Sequence, residues 1–258
     1  MLPGAYDLKE YYATPQGRMV ARMLLRRFAA WWDEPRLRGE VVVGAGYALP
    51  YLESMRAARG VFALMSGQMG AMTWPEGAWP DGDGGADARQ RCVLADRGAW
   101  PLAGASVDYV LVIHDLEFAE DPGAVLDEVW RVLKPEGRAI MVVPNRTGLW
   151  ARVEKTPFGQ GRPFTATQLH ELLRERNFSL ERMTGALVAP PVRNVTLTEH
   201  VAPAVEAIAP ACSALCGVIV AEAGKRLYQP IKGKAKPVAK PALIWGAGVP
   251  ATPPMRKL

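Results

Sequence analysis

Two short apolar segments on either side of a glycine turn constrain the fold of this chain more than any other feature. Residues 41–43 are three valines, Gly44 and Gly46 follow them, and residues 61–65 form a second apolar segment. Residues 47–58 lie between the two segments and carry apolar side chains at helical spacing. A strand, a glycine turn, a helix and a strand within about 25 residues are typical of a βαβ unit. The sequence therefore predicts parallel strands.

Strands and helices continue to alternate beyond this unit. Apolar segments bounded by turn residues predict five further strands, and Thr165 and Gln168 form a capping box that predicts the start of a late helix. We expect the last two strands to be antiparallel edge strands. The predicted strands are residues 91–95, 107–113, 139–143, 180–188 and 217–221; the predicted helices are residues 123–133 and 165–177; and residues 66–91, which are rich in glycine and proline, are predicted to form a surface loop.

The N-terminal region predicts an amphipathic helix. Thr14 is suited to be its N-cap, Pro15 suits the first helical position, and residues 16–32 carry apolar side chains at helical spacing. The other side of this helix bears a stripe of basic residues. Such a stripe is usually the solvated face of a packed helix, and contact with a membrane or a nucleic acid is the alternative. The stripe consists of Arg18, Arg22 and Arg26.

Length and composition indicate one main domain with appendages. The chain has 258 residues, of which 49% are hydrophobic and 22% are charged, close to the average of soluble globular proteins. The net charge of +5 arises largely from lysines near the C-terminus. We predict an N-terminal helical cap over residues 1–34, a main domain over residues 35–222 and a basic, proline- and lysine-rich tail over residues 223–258.

The sequence predicts a cytoplasmic protein. It shows no apolar segment of signal-peptide length at the N-terminus and no apolar run near the roughly 20 residues of a membrane span. Three cysteines, Cys92, Cys212 and Cys216, are too few for a disulfide framework and lack the paired ligands of a zinc site. We therefore expect buried thiols and no bound metal.

The middle of the chain resembles a known family. Residues 100–122 read WPLAGASVDYVLVIHDLEFAEDP and residues 128–138 read EVWRVLKPEGR. In order and spacing, these segments are similar to class I S-adenosylmethionine (SAM)-dependent methyltransferases of the ubiquinone and menaquinone biosynthesis type. Together with the first βαβ unit, the resemblance covers residues 39–145.

The resemblance implies a fold, a cofactor and a set of cofactor-binding residues. The fold is an α/β Rossmann-like class I methyltransferase fold, with a mostly parallel seven-stranded sheet and helices on both faces. The cofactor is SAM. The glycine turn would hold its methionine part, the acidic residue after the third strand would accept a hydrogen bond from the adenine amino group, and residues after the fourth strand would line the sulfonium region. The implied cofactor-binding residues are Gly44, Ala45, Gly46, Tyr47, Met65, Asp96, Arg97, His114 and Leu116.

The residues themselves leave three of these roles open. Glycines after a strand allow close approach to a ligand, and the following helix N-terminus offers amides to a carboxylate, but many strand-to-helix turns use glycine only as a hinge. Asp96 is a suitable acceptor for an exocyclic amine, or it is a turn-forming residue at a strand end. His114 lines the binding region or is a hydrogen-bonded residue at its rim.

The first glycine motif departs from the family pattern, and so does the second strand. Val42 stands where the family has an acidic residue, and Ala48 replaces the third glycine. Residues 63–66 lack the carboxylate that grips the ribose hydroxyls, a loss of about 1.5 to 3 kcal/mol if nothing replaces it. Candidate replacements are Ser66, Gln68, Glu76, Asp81 and a lid formed by Tyr11 and Tyr12.

These observations predict a methyltransferase that acts on a small-molecule acceptor. The departures favour an alternative, which is an inactive methyltransferase-like module that serves as a scaffold for a protein partner. A nucleic-acid-directed enzyme ranks last, because the basic tail has few aromatic residues. The predicted bases for a proton on the acceptor are His114, Asp115 and Glu117. Residues 150–164 are predicted to form either a substrate lid or a structural loop.

Overall fold

The sheet is the centre of the fold. The computed structural model describes residues 3–75, 91–188 and 216–226. Within them, seven strands form one sheet in the order β3-β2-β1-β4-β5-β7-β6. The strands are β1 (Val41–Gly46), β2 (Gly60–Ser66), β3 (Cys92–Ala95), β4 (Val107–Ile113), β5 (Leu133–Pro144), β6 (Phe178–Ala186) and β7 (Val218–Lys225).

Strand pairing confirms the predicted mostly parallel sheet. Neighbouring strands from β3 to β5 pair in parallel, and β7 pairs antiparallel with both β5 and β6. The prediction that both late strands lie at an edge is wrong for β7, which lies between β5 and β6. Every residue of β7 is buried, as expected for a strand that is paired on both sides. β7 also runs past the predicted domain boundary at residue 222.

Six α-helices are present in the described residues. Thr14 caps α2 as predicted, because its Oγ1 accepts from the Gly17 backbone N–H at 3.0 Å. The helix before it was not predicted. The helices are α1 (Ala5–Ala13), α2 (Pro15–Trp31), α3 (Glu34–Leu37), α4 (Leu49–Leu52), α5 (Pro122–Val132) and α6 (Ala166–Glu175), with 3₁₀ turns at Glu53–Met55, Trp150–Arg152 and Pro157–Gly159.

Two hydrophobic layers cover the two faces of the sheet. α1 and α2 bury Leu8, Leu24 and Phe28 in the layer on one face. The other layer contains buried residues of α5 and α6, among them Val125 and Leu169. Consecutive residues of β4 alternate between the two layers, as the pleat of a strand requires. Helices therefore lie on both faces as predicted, and the N-terminal helices form one layer of the core.

Two boundaries differ from the sequence prediction near the first glycines. β1 continues through Gly46, so the glycines belong to the end of the strand and not to a turn after it. The helix that follows is a single turn, α4, continued by a 3₁₀ turn, where a helix through residue 58 was expected. Pro50 lies in the first turn of α4 and β2 already begins at Gly60, so few residues are left in which this helix could extend.

Several expectations concern surfaces and termini. Arg18, Arg22 and Arg26 are exposed, in agreement with a solvated helix face. Cys92 and Cys216 are free and buried, whereas Cys212 lies outside the described residues. Among the described residues, no helix has the length and apolarity needed to span a membrane. The chain between β6 and β7 and the predicted tail beyond residue 226 also lie outside the described residues.

Candidate functional site

The parallel strands end together at one edge of the sheet, which we call the carboxyl edge. It comprises Gly46 at the end of β1, Ser66 at the end of β2, Asp96 after β3 and His114 after β4. The strand order reverses between β1 and β4, since β2 and β3 lie to one side of β1 and β4 lies to the other. Open α/β sheets bind ligands outside the carboxyl ends of the strands at such a switch point.

A cavity of about 620 Å³ opens at the carboxyl edge beside β2 and β3. Asp96 and Arg97 contribute to its wall, together with Ser66 and Gln68 after β2 and residues 119–121 before α5. Its volume is in the usual range of small-molecule sites, about 300 to 1,000 Å³. Of the predicted cofactor-binding residues, Asp96 and Arg97 are the two that line this cavity.

Asp96 serves the turn after β3 and also faces the cavity. Its Oδ1 accepts a hydrogen bond from the Gly98 backbone N–H at 2.8 Å, which is the turn role considered from the sequence. The residue is exposed, and a carboxylate has about four acceptor positions. The turn therefore leaves acceptor capacity for a ligand in the cavity.

The two glycines of β1 are required by contacts inside the protein. A Cβ on Gly44 would lie 2.6 Å from the Ala48 Cβ, so this glycine lets α4 approach β1. Gly46 has φ +74°, and a Cβ there would lie 2.3 Å from the Ile113 carbonyl oxygen. The Tyr47 backbone N–H already donates to that carbonyl at 3.0 Å. A helix N-terminus attracts an anion through the aligned peptide dipoles of the helix. Because α4 is only one turn long, it contributes little of this dipole to the expected anion site.

The other predicted residues near β1 do not reach the 620 Å³ cavity. Ala45 is buried under the second layer, and Tyr47 lines a separate hollow of about 210 Å³ together with Tyr12 and Trp74. Met65 and Leu116 are buried in opposite hydrophobic layers. Tyr47 and Asp96 thus both lie near the carboxyl edge but line different hollows.

An ion pair joins these two regions. The Arg97 Nε donates to the Asp115 Oδ1 at 2.6 Å, and the Arg97 Nη1 donates to the Gln68 Oε1 at 2.9 Å. Arg97 follows β3 and Asp115 follows β4, so their bond spans the ends of β2 and β1, which lie between those strands. A Cβ on Gly46 would lie 2.8 Å from the Asp115 Cβ, which places Asp115 against the glycine segment.

His114 is the centre of a buried polar network beside Asp115. It has φ +54° and is fully buried. Its Nε2 lies 2.8 Å from the Tyr12 hydroxyl oxygen, and its Nδ1 lies 3.3 Å from the Glu117 Oε1. The Tyr12 hydroxyl also lies 2.8 Å from that of Tyr51. With the Nδ1–H donating to Glu117, the Nε2 accepts from Tyr12, so the carboxylate selects the histidine tautomer.

Aromatic rings enclose this network. Tyr12 stacks on Tyr47 with ring centroids 5.7 Å apart, and the Phe158 ring lies 4.8 Å from the His114 ring. Burial raises the pKa of Tyr12 well above its ordinary value, and the neighbouring Tyr51 raises it further. Tyr12 is therefore a neutral hydrogen-bond donor that covers His114. The sequence suggested Tyr12 as part of a lid, and only the structure shows that it contacts His114.

Two buried carboxyl groups, those of Asp115 and Glu117, follow His114 in the sequence. Burial raises the pKa of Asp115, the nearby Glu117 carboxylate raises it further, and Arg97 offsets part of this effect. The Glu117 Oε2 is buried without a hydrogen-bond partner in the described residues. Both residues were named from the sequence as proton acceptors, but the link between Asp115 and Arg97 carries no sequence signal.

Residues 150–164 are packed against the carboxyl edge. The Arg162 backbone N–H donates to the Glu117 carbonyl oxygen at 2.8 Å, and its side chain donates to the carbonyl oxygens of Ala119 and Glu120. Trp150 and Phe158 are fully buried. These contacts favour the structural loop over the mobile substrate lid.

The departures from the family pattern are also accounted for in part. Val42 is buried in the first hydrophobic layer, where an acidic residue would have no solvent. Ser66 and Gln68 line the cavity where the ribose carboxylate is missing. The other two candidate replacements, Glu76 and Asp81, lie outside the described residues.

Comparison with protein families matches residues 41–141 to the methyltransferase domain family. This match covers β1 to β4, α5 and most of β5. A comparison with curated proteins gives no match.

Solved structures with the same fold include methyltransferases. The complex of the Haloferax volcanii Trm112 methyltransferase activator with a methyltransferase aligns at 17% identity over 87% of this chain and 98% of that chain, with a TM-score of 0.55. A geranyl diphosphate C-methyltransferase from Streptomyces coelicolor, in complex with S-adenosylhomocysteine, aligns at 12% identity over 79% and 81%, with a TM-score of 0.52. An S-adenosylmethionine-dependent methyltransferase from Mesorhizobium loti aligns at 14% identity over 77% and 96%, with a TM-score of 0.51.

At these identities the structural matches establish the Rossmann-like fold. Together with the domain match, they support SAM as the cofactor.

Proposed function

We propose that this chain, whose residues 41–141 match the methyltransferase domain family, transfers a methyl group from SAM to a small-molecule acceptor. The observation that carries the proposal is the position of the 620 Å³ cavity, at the carboxyl edge beside the switch point of a sheet with this fold. Ligands of open α/β sheets bind at this place.

The chemistry of the cavity wall suits the adenosine part of SAM. Asp96 offers a charged acceptor to the adenine amino group, and hydrogen bonds to a charged acceptor are stronger than neutral ones. Ser66 and Gln68 offer hydroxyl and amide groups to the ribose, in place of the missing carboxylate. Leu94 supplies an apolar contact at the same wall.

The chain's own residues position the reactants and exclude water. SAM supplies a methyl group that is already activated by the sulfonium, so the protein's main task is alignment. Tyr12, Tyr47 and Phe158 enclose His114 and keep water away from it. Glu117 holds the imidazole in the tautomer whose Nε2 accepts a proton. An acceptor that takes the place of the Tyr12 hydroxyl on this nitrogen would lose its proton to His114.

Several narrower assignments are part of the same proposal. Methyl transfer is favoured over the inactive scaffold by the domain match and the structural neighbours. A protein partner is compatible with methyl transfer, since one neighbour is a methyltransferase bound to an activator. We retain the ubiquinone-type subgroup and the cytoplasm as proposals, the latter because free buried thiols suit a reducing compartment.

Thermal shift with SAM and S-adenosylhomocysteine tests the proposal. A ligand that binds only the folded state stabilises it by about 2.7 kcal/mol at a hundred times its Kd, so both compounds are expected to raise Tm by several degrees. Asp96→Ala should reduce the shift. Asp127→Ala is the matched control, because Asp127 is exposed and pairs with Arg176. Absence of any shift at millimolar ligand would refute the proposal, and an unchanged shift in Asp96→Ala would remove Asp96 from the site.

A further inference from the structure

A second hollow at the carboxyl edge is lined by two arginines, Arg146 and Arg162. It has a volume of about 280 Å³ and lies between the residues that follow β5, the start of α5 and α6. No acidic side chain of the described residues lines it. Neither arginine forms an ion pair with a carboxylate in the part of the chain that the structure describes. Two positive charges therefore line one hollow without a negative partner.

Backbone hydrogen bonds bring the two arginines to the same place. The Arg146 N–H donates to the Phe164 carbonyl oxygen at 2.9 Å, and the Phe164 N–H donates to the Pro144 carbonyl oxygen at 2.9 Å. The Arg146 Nη2 also donates to the Pro163 carbonyl oxygen at 3.1 Å. Since Pro163 directly follows Arg162 in the chain, the Arg146 guanidinium is fixed close to the backbone of Arg162.

Backbone carbonyl oxygens hold both guanidiniums and leave some of their donors free. Arg146 uses its Nε and Nη2 for the Pro163 carbonyl oxygen. Arg162 uses its Nη2 for the carbonyl oxygens of Ala119 and Glu120. A guanidinium has five N–H donors, and a carbonyl oxygen fixes its position without neutralising its charge. Both arginines therefore keep donors for an anion, and little conformational entropy is lost when one binds.

The rest of the wall is largely apolar. Phe164 and Leu172 are partly buried against the hydrophobic layer that contains α5 and α6, and Pro122 adds a further apolar contact. An apolar cavity of about 150 Å³ is large enough for a benzene molecule. A hollow of about 280 Å³ therefore accommodates a ring with a substituent. It combines two fixed cations with an apolar surface.

We propose that this hollow binds a small organic phosphate, with the phosphate group on Arg146 and Arg162 and the apolar body against Phe164 and Leu172. A phosphate monoester carries about −1.5 to −2 charges at pH 7, which matches two guanidiniums better than the single charge of a carboxylate does. The planar guanidinium also fits phosphate oxygens in geometry.

The site is distinct from the 620 Å³ cavity. Residues 119–121 line that cavity and Pro122 lines the 280 Å³ hollow, so the start of α5 borders both, but the two share no lining residue. The proposal goes beyond methyl transfer and does not depend on it.

Isothermal titration with phenyl phosphate tests this assignment. Inorganic phosphate lacks the ring, and benzoate has the ring with a single charge. Wild type should bind phenyl phosphate roughly tenfold more tightly than inorganic phosphate, because the ring adds buried apolar surface. It should bind benzoate about threefold or more weakly than phenyl phosphate, because benzoate has less charge. S-adenosylhomocysteine should not displace phenyl phosphate.

Substitutions separate the contributions of charge and apolar contact. Arg146→Gln should weaken binding of phenyl phosphate roughly tenfold, because it removes a charged hydrogen-bond donor. Arg162→Lys keeps the charge but lacks the fork of donors, so a loss of about threefold is expected. Leu172→Ala should weaken binding of phenyl phosphate about threefold and leave that of inorganic phosphate unchanged.

Arg174→Gln is the matched control. Arg174 is exposed on α6 and does not line the hollow, so both affinities should equal those of wild type. Thermal unfolding of each variant shows whether it is folded.

The outcomes distinguish a built site from general attraction of anions. Selective loss of phenyl phosphate binding in Arg146→Gln and Arg162→Lys, with Arg174→Gln unchanged, supports the proposal. No binding at millimolar concentration, equal affinities for the three probes, or equal losses in Arg146→Gln and Arg174→Gln would overturn it. Displacement by S-adenosylhomocysteine would also overturn it, because the probe would then lie in the 620 Å³ cavity.

Discussion

Strand β4 has a carboxyl group near each end, and the pKa values of the two groups are shifted in opposite directions. Near its start, Asp108 accepts from the Lys134 Nζ at 2.7 and 2.8 Å and from the Val41 backbone N–H at 2.9 Å. Burial alone would raise the pKa of Asp108, but these donors outweigh it and the pKa is lowered. After the end of β4, burial raises the pKa of Asp115, and Arg97 does not cancel the effect.

We interpret this difference in pKa as a difference in role: the carboxyl group near the start of β4 stabilises the fold, and the one after its end belongs to the candidate binding site. The opposite edge of the sheet, where the parallel strands begin, is called the amino edge. There the charged groups are paired within the protein and stabilise the fold. At the carboxyl edge, buried charges retain free positions, and this arrangement stabilises the free protein little. Perturbed titratable groups concentrate at functional sites because a site needs groups that only a ligand completes.

The largest effect is expected at Gly46, the last residue of β1. Gly46→Ala should lower the free energy of unfolding by about 3 kcal/mol or more, because φ is +74° and the added Cβ would meet the Ile113 carbonyl oxygen at 2.3 Å. Gly39→Ala, at the amino edge, is the control. It has φ +86° with nothing within 4 Å of the added Cβ, so about 1 kcal/mol is expected. Equal losses in urea unfolding would contradict the close packing at Gly46.

Removal of Asp108 should have the next largest effect. Asp108→Ala leaves Lys134 and the Val41 N–H without their acceptor, and we expect a loss of about 2 kcal/mol in the free energy of unfolding. Affinity for S-adenosylhomocysteine should not change. Glu34→Ala, which removes an exposed partner of Arg38, should have no measurable effect on stability. A stable Asp108→Ala protein with impaired ligand binding would reverse the roles assigned to the two edges.

The smallest effect is a difference in pH dependence. A raised pKa in the folded state means that Asp115 favours folding less as the pH rises above about 4, the value of an unperturbed aspartate. The stability of Asp115→Asn relative to wild type should therefore increase as the pH rises above about 4. The effect of Asp108 on the pH dependence of stability is opposite. Because its pKa is lowered in the folded state, its contribution to stability is lost as the pH falls below about 4.

Thermal unfolding of wild type, Asp115→Asn and Asp108→Asn at pH values from below to above about 4 measures both slopes. Parallel curves for the two variants would show that the two ends of β4 do not differ.

Regular patterns made most of the fold predictable from the sequence. The valines of β1, the apolar run of β4 and the Thr165 capping box each report on local structure, and the structure contains all three elements. The lengths of β1 and α4 were not predicted, because a glycine is equally compatible with a strand end and a turn. The position of β7 between β5 and β6 was missed because no local sequence signal marks where an antiparallel strand inserts in a sheet.

The site was predictable where it follows strand ends and unpredictable where it depends on pairing. Asp96 and His114 were predicted as site residues because the resemblance places such residues after the third and fourth strands, and both do follow β3 and β4. The Arg97–Asp115 ion pair joins residues on opposite sides of β1 and β2, and the contact between Tyr12 and His114 joins residues more than a hundred positions apart in the sequence. Such contacts arise from sheet order and helix packing, which sequence periodicity does not encode.

A crystal structure with bound S-adenosylhomocysteine tests the central claim most directly. We predict the ligand in the 620 Å³ cavity at the carboxyl edge, with the adenine within hydrogen-bond distance of the Asp96 carboxylate. A ligand bound at any other surface, or crystals that remain free of ligand at millimolar concentration, would contradict the account.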